Sequence, residues 1–322
     1  MSTKKSRRKK SPRAGKPNRH PARSRKPEHF APNKPQRVSW LSGARLRTLP
    51  LAIAPVAIGA GCASILDHFS WILTVLCLVV ALALQVGVNF ANDYSDGVRG
   101  TDAFRVGPGR LTGSGSAPPR SVLTVALVFF GIAVAAGIAI TVISQIWWIP
   151  AVGLVCVAAA WFYTGGKRPY GYYGFGELAV FVFFGLVATA GTTFVQAGTV
   201  PEESWLAGAG IGFIACAVLV INNARDIETD RRSGKRTLAT RMGRRGSVVF
   251  YISLMVISMV VAAAIAVLYT NAWYLQFAWL IVAPACLVAA TSKSAQEDIL
   301  VLRLSTITAL LYGLGLGATF AF

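Results

Sequence analysis

Charge is what this chain has least of. Only 14% of its 322 residues are Asp, Glu, Lys or Arg, while 54% are hydrophobic. A soluble domain carries nearer to about 25% charged residues, so an ordinary soluble protein is excluded. Cysteine is sparse as well: Cys62, Cys77, Cys156, Cys216 and Cys286 stand singly inside apolar runs. They lack metal-site spacing and read as small apolar core residues. Ten-residue alternations are missing, which excludes a membrane β-barrel. Long apolar runs that must satisfy every backbone group inside lipid are then helices. Acid is nearly absent from the first 37 residues, where Glu28 stands against 14 of the 32 Lys and Arg.

That opening stretch is Pro-rich with almost nothing apolar to bury, so it is expected to be disordered. No apolar core of roughly 7–15 residues follows the basic start, so a secretory signal peptide is not expected. The plainest reading of residues 1–40 is a solvated cytoplasmic tail beside an anionic leaflet. A nucleic-acid arm and a mitochondrial transit peptide are the alternatives. The second lacks an amphipathic helix, and no nucleic acid is expected as a partner.

Apolar runs fill almost everything after residue 48. A hydrocarbon core about 30 Å thick needs about 20 apolar residues per crossing. The runs predict one all-α integral membrane domain over 41–322, a bundle of nine transmembrane helices. They lie near 49–66, 72–92, 120–143, 148–164, 177–197, 206–224, 247–269, 274–292 and 304–322. The connectors alternate. Those at 67–70, 144–147, 198–204 and 270–273 hold no Lys or Arg. The others hold Arg99, Arg105, Arg110, Lys167, Arg168, the cluster from Arg225 to Arg245, Lys293 and Arg303. The positive-inside rule puts these and the tail in the cytoplasm of a multi-pass cell-membrane protein, with Phe322 outside. Trp71, Trp147, Trp148, Trp205 and Trp273 mark the outer interface as an aromatic belt.

Two of the cytoplasmic connectors carry unusual acid. The first runs Asn89-Phe90-Ala91-Asn92-Asp93-Tyr94-Ser95-Asp96 and on through Arg99 to Asp102. The second runs Asn222-Asn223-Ala224-Arg225-Asp226-Ile227-Glu228-Thr229-Asp230 and on to Lys235 and Arg236. Asn92 and Asp96 are four apart, as are Asn222, Asp226 and Asp230, so each set shares a helix face if the helix continues. An even number of crossings separates the motifs, so both can face one cytoplasmic opening. Solvated loops with Asp as a cap or turn residue are the plain alternative, but chance seldom puts Asn and paired Asp at both matching helix ends. Carboxylates near hydrocarbon are usually functional.

Crowded carboxylates repel, by about 4 kcal/mol for two unit charges 4 Å apart at an effective dielectric of 20. Either their pKa values rise or hard cations sit between them. Oxygen-only ligands suit Mg²⁺, which binds substrate phosphate as well. Asp96, Asp102, Asp226 and Asp230 bring −4, two Mg²⁺ bring +4 and a diphosphate brings roughly −3. Lys167, Arg168, Lys235 and Arg236 are available for the remainder. A lipid diphosphate follows from the membrane setting. Tyr94, Trp161, Phe162, Tyr163, Tyr170, Tyr172 and Tyr173 are candidates for facing the allylic cation left behind, with interfacial anchoring as the plain reading of the tyrosines.

These two motifs resemble those of the UbiA superfamily of intramembrane prenyltransferases, over essentially the whole chain from Arg45 to Phe322. Ala44-Arg45-Leu46-Arg47-Thr48-Leu49-Pro50, Tyr163-Thr164-Gly165-Gly166 and Gly176-Glu177 share the resemblance. Asp102 lies two positions beyond the usual Asn-x-x-x-Asp-x-x-x-Asp spacing, which resembles the branch acting on 1,4-dihydroxy-2-naphthoate in menaquinone synthesis. The basic tail is no part of the pattern.

The resemblance implies nine helices, two Mg²⁺, a polyprenyl diphosphate donor and 1,4-dihydroxy-2-naphthoate as acceptor. The prenyl group would replace the acceptor's carboxylate, giving demethylmenaquinone. Asn92, Asp96 and Asp102 would form the first metal-diphosphate site and Asp226 and Asp230 the second. Lys235, Arg236 and Lys167 would touch diphosphate. For a proton acceptor, Asp93, Glu177 and self-activation of the substrate stay open. Alternatives are a UbiA relative using 4-hydroxybenzoate, haem, chlorophyllide or a sugar pair, a secondary transporter, and a structural membrane protein recruiting partners through its tail.

Overall fold

The computed structural model describes Met1, residues 38–101 and residues 109–322. Most of the predicted tail, and Asp102, lie outside the described residues. All that follows concerns the unit Pro32–Phe322. Among the described residues every regular element is helical.

The chain enters through a short helix, Trp40–Ala44, whose N-cap Ser39 side chain accepts from the Ser42 amide. A left-handed residue, Arg45 (φ 53°), ends it. Helix α1, Pro50–Ile65, then starts with proline at its first position, where the missing N–H costs nothing. It is bent 45° from Trp40–Thr48. Helix α2, Trp71–Arg99, is capped by Ser70 at one end and by Gly100 (φ 73°) at the other. Helices α3, Pro119–Ser144, and α4, Ile149–Phe162, follow. Then come α5, Gly176–Ala197, and α6, Glu202–Arg225, with the short helix Ile227–Arg232 after a break at Asp226. Helix α7 is Leu238–Leu268 and α8 is Trp279–Thr291, entered through a 3₁₀ stretch, Thr270–Ala278. Helix α9 is Ala295–Ala321.

Seven of the described helices are long and apolar enough to cross a membrane, and counting the bent pair of Trp40–Thr48 and α1 as one span gives eight. The predicted segment at 148–164 is helical but short. Its 14 residues rise about 21 Å, against a hydrocarbon layer of about 30 Å. It also contains no buried residue.

Three boundaries differ from the predicted ones for physical reasons. Helix α2 does not stop near residue 92 but carries the first acidic motif on its last turns, because Asp93, Ser95 and Asp96 all find partners inside the protein. Helix α7 begins at Leu238, under a Thr237 cap, and breaks at Gly243 (φ 71°) before its apolar run. Helix α9 starts at Ala295 because Ser294 and Glu297 form a reciprocal capping box.

Helix α6 is the most buried of the crossing helices. It packs with α1, α5, α7 and α9. Lipid tails are as apolar as leucine, so close backbone approach and internal hydrogen bonds hold such helices together. A Cβ at Gly313 would collide with Ala54, and one at Gly61 with the backbone of Gly317, so α1 and α9 touch nearly backbone to backbone. Ser258 Oγ donates to the Gly210 carbonyl at 2.9 Å, and Tyr251 and Ser305 share a hydrogen bond of 2.8 Å. Within α5, residues Phe181–Val187 wind as a π-helix. There Gly185 sits so close to Gly208 and Gly212 that any side chain would clash.

Candidate active site

A cavity of about 910 Å³ runs along the bundle. Its walls are apolar, formed by residues such as Leu84, Val134, Leu154, Phe183 and Val187, and Trp148 and Trp205 lie at its far end. At the near end the lining turns polar. Asn92 and Asp96 come from the last turns of α2, and Asn222, Asn223, Asp226 and Asp230 from the end of α6 and its sequel. The 29 residues of α2 rise about 43 Å, some two turns more than the hydrocarbon layer needs. That excess brings Asp96 to the mouth of the cavity.

Asp96 is only 2% exposed. One carboxylate oxygen accepts from the Tyr172 hydroxyl. The other lies 3.2 Å from the Lys235 ammonium and 3.7 Å from Arg110. Burial first, and then the charge of Asp96, raise the Tyr172 phenol far above its ordinary range, so it stays a neutral donor. Lys235 also lies 3.9 Å from Asp230. Asp226 is held by its own neighbour: Arg225 donates to both carboxylate oxygens, at 2.8 and 2.7 Å, and to Asn222 at 3.0 Å.

The loop between α4 and α5 ties these groups together. The Thr164 hydroxyl donates to Asn92, while its carbonyl accepts from Ser95 at 2.7 Å and Arg99 at 2.6 Å. Arg99 also reaches the Gly166 carbonyl. On the other side, the Arg236 amide donates to the Tyr172 carbonyl at 2.8 Å, and Arg241 donates to that of Tyr173.

The geometry thus brings together Asn92, Asp96, Asp226, Asp230 and Lys235. It does not bring in the other three expected cations. Lys167, Arg168 and Arg236 are exposed and do not line the cavity. Of the expected proton acceptors, Asp93 has both oxygens taken by the Leu111 and Thr112 amides, each at 2.8 Å. It is a loop clamp. Glu177 is buried off the cavity and accepts from Asn223 at 3.1 Å. Arg110, Arg225 and Tyr172 are site residues that sequence reasoning did not single out for these contacts. Nothing in the sequence around Arg110 signals its approach to Asp96, which depends on the Asp93 clamp.

Among the described residues no three His, Cys, Asp or Glu side chains gather as a metal cluster. The donor set still fits Mg²⁺. It is all oxygen, split between two helix ends, and faced by cations that would otherwise meet an anionic ligand. Mg²⁺ is commonly held by one or two carboxylates plus substrate phosphates rather than by a closed protein cage.

Comparison with known proteins bears on this arrangement. Residues 52–319 match the model of the UbiA prenyltransferase family. The 1,4-dihydroxy-2-naphthoate octaprenyltransferase of Mycobacterium tuberculosis is 46% identical over 287 residues, covering 88% of this chain and 97% of that protein. The protein of that name from Escherichia coli is 37% identical, covering 70% of this chain and 75% of that one. Among solved structures, the apo UbiA homolog from Aeropyrum pernix K1 superposes with a TM-score of 0.66 at 15% identity, over 86% of this chain and 98% of that one. A UbiA homolog from Archaeoglobus fulgidus bound to GPP and Mg²⁺ gives 0.60 at 15% identity, over 88% and 99%. At that identity the structural likeness establishes the all-helical fold.

Proposed function

The chain belongs to the UbiA prenyltransferase family, and from that premise we propose that it transfers a polyprenyl group from polyprenyl diphosphate to 1,4-dihydroxy-2-naphthoate. The observation that carries the reading is a cavity with an acidic and basic mouth and an apolar body. Such a shape suits a ligand with an anionic head and a long hydrocarbon tail. The acceptor assignment draws on relatives at 37–52% identity that carry that substrate in their names.

In this reading the allylic C–O bond breaks and diphosphate leaves. A new C–C bond forms at the ring carbon bearing the carboxylate, and CO₂ departs, leaving its bonding pair on the ring. The leaving group at that carbon is CO₂ rather than a proton, so no base is needed there. That agrees with the engagement of Asp93 and Glu177 elsewhere. Asn92, Asp96, Asp226 and Asp230 would hold Mg²⁺, two ions in our reading, with Asp102 completing the first site. Neutralising the departing diphosphate is the chemistry the bound metal supplies. Lys235 and Arg110 would turn from Asp96 to diphosphate oxygens, as charge-assisted donors. The apolar walls exclude water from the allylic carbon.

We place the acidic mouth at the cytoplasmic face of the cell membrane, with nine crossings and Phe322 outside, since the loops on the mouth side hold the cations. The test is transfer by purified protein of label from polyprenyl diphosphate with Mg²⁺, across a panel of aromatic acceptors. Carboxyl-labelled 1,4-dihydroxy-2-naphthoate should release one CO₂ per prenyl transferred. Transfer to 4-hydroxybenzoate alone, or a product that keeps the carboxylate, would overturn the assignment.

A further inference from the structure

Resting on that reading of the cavity, we propose that Tyr172 is a positioning residue of the donor end: its hydroxyl aims Asp96 and its ring face holds the Lys235 ammonium. The two acidic motifs thereby meet the diphosphate in register.

Tyr172 lies on a single 3₁₀ turn, Tyr170–Tyr173, led in by Pro169 and closed by Gly174 at φ 87°. The turn is pinned from outside the loop, because the Tyr172 carbonyl accepts from the Arg236 amide at 2.8 Å. The side chain is therefore presented from a fixed backbone. Its hydroxyl donates to Asp96. Its ring carries the Lys235 ammonium at 4.7 Å and the Arg99 guanidinium at 5.4 Å from the centroid. Lys235 in turn is 3.2 Å from Asp96 and 3.9 Å from Asp230. Tyr172 thus contacts the first motif through oxygen and the second motif's loop through its π face. Cations within about 6 Å of a ring are attracted to that face. The ring is consequently engaged by protein cations. That argues for a positioning role and against direct contact with the reacting allylic carbon.

The two contacts separate by mutation. Tyr172→Phe keeps the ring and deletes the hydroxyl, and Tyr172→Leu deletes both. Equilibrium binding of geranyl diphosphate to purified protein, titrated with Mg²⁺, reads each. Tyr172→Phe should raise the Mg²⁺ needed for half-maximal binding by roughly three- to tenfold. Tyr172→Leu should do the same and also weaken binding at saturating Mg²⁺ by roughly threefold or more. In a Lys235→Ala background the Phe–Leu difference at saturating metal should shrink to what the Arg99 contact leaves. The acceptor KM should not move in either, a readout that general loosening of the loop would shift. Wild-type Mg²⁺ dependence in both variants overturns the proposal. So does a Phe–Leu difference that survives Lys235→Ala undiminished, with kcat falling at saturating donor, since the ring then acts on the reacting carbon. If the wild type itself binds no geranyl diphosphate with Mg²⁺, the prenyl-transfer reading fails first and takes this one with it.

Discussion

The two acidic helix ends carry similar residues on unlike backbones. The first motif rides an uninterrupted helix that runs to Arg99 and is stopped by a left-handed glycine. The second sits where α6 breaks at Asp226 (φ −96°), with Asp230 on a separate short helix. Their partners differ in the same sense. Asp96 is held by three residues from elsewhere in the chain, Tyr172, Lys235 and Arg110. Asp226 is clasped by its immediate neighbour, Arg225. One carboxylate therefore reports the assembly of distant segments, and the other is gripped through both oxygens by its neighbour in sequence. This difference predicts that damage to the first motif's surroundings appears in ligand binding, while damage to the second's appears in folding.

The largest effect expected is common to both ends. Asp96→Ala and Asp226→Ala should each lower transfer by about a thousandfold or more, since each would remove an oxygen ligand from the metal-diphosphate site we propose. Helicity by circular dichroism should be kept. Near-normal turnover in either variant would mean the two ends do not serve one site. Next, Arg225→Met takes from the buried Asp226 the cation that grips both its oxygens. Breaking a buried pair in this way costs about 3 kcal/mol, and the loss should appear as a lower melting temperature in detergent. An unchanged Tm would remove the local clasp from the comparison.

Lys235→Ala should act the other way, sparing Tm and raising the KM for prenyl diphosphate by about tenfold to a hundredfold, the worth of one charge-assisted hydrogen bond. Lys235→Arg should recover part of this, because a planar fork does not reproduce a point charge. A rise in the acceptor KM alone would move Lys235 to the acceptor pocket. The smallest effect expected is that of Gly100→Ala. Among the described residues no atom crowds Gly100, so the cost there is that of a left-handed backbone, about 1 kcal/mol. It should fray the turn bearing Asp96 and raise the Mg²⁺ requirement slightly. Asp226 needs no glycine beside it, since φ −96° suits any residue.

Much of this was legible from residues alone. Apolar runs locate the helical segments, and the four-residue spacings locate Asn92, Asp96, Asp226 and Asp230, which converge on one cavity. Helix starts are harder to read, because the polar first turns of α7 and α9 look like loop. The Ser294–Glu297 box was nonetheless written in the sequence. Long-range pairings are not legible. Arg110 reaches Asp96 only because Asp93 captures the Leu111 and Thr112 amides, and no local pattern encodes that closure. Nor does composition distinguish Lys235, turned into the cavity, from the exposed Lys167, Arg168 and Arg236.

The π-wound stretch of α5 has a consequence for how this helix tolerates insertion and deletion. A π turn closes on i→i+5 bonds where an α turn closes on i→i+4. Deleting one residue from Phe181–Val187 would let the stretch relax to an ordinary helix of nearly the same rise. The parts on either side would then keep nearly the same phase, because one wide turn has been exchanged for one ordinary turn. Glu177 would still face Asn223, and Thr193, beyond the stretch, would keep its bonds to Gly59 and Ser204. The same loss from an ordinary α-helical stretch would instead rotate one part against the other by about 100°. The wide turn takes up a residue without turning what flanks it, so a single-codon loss here should be less harmful than one elsewhere in the same helix.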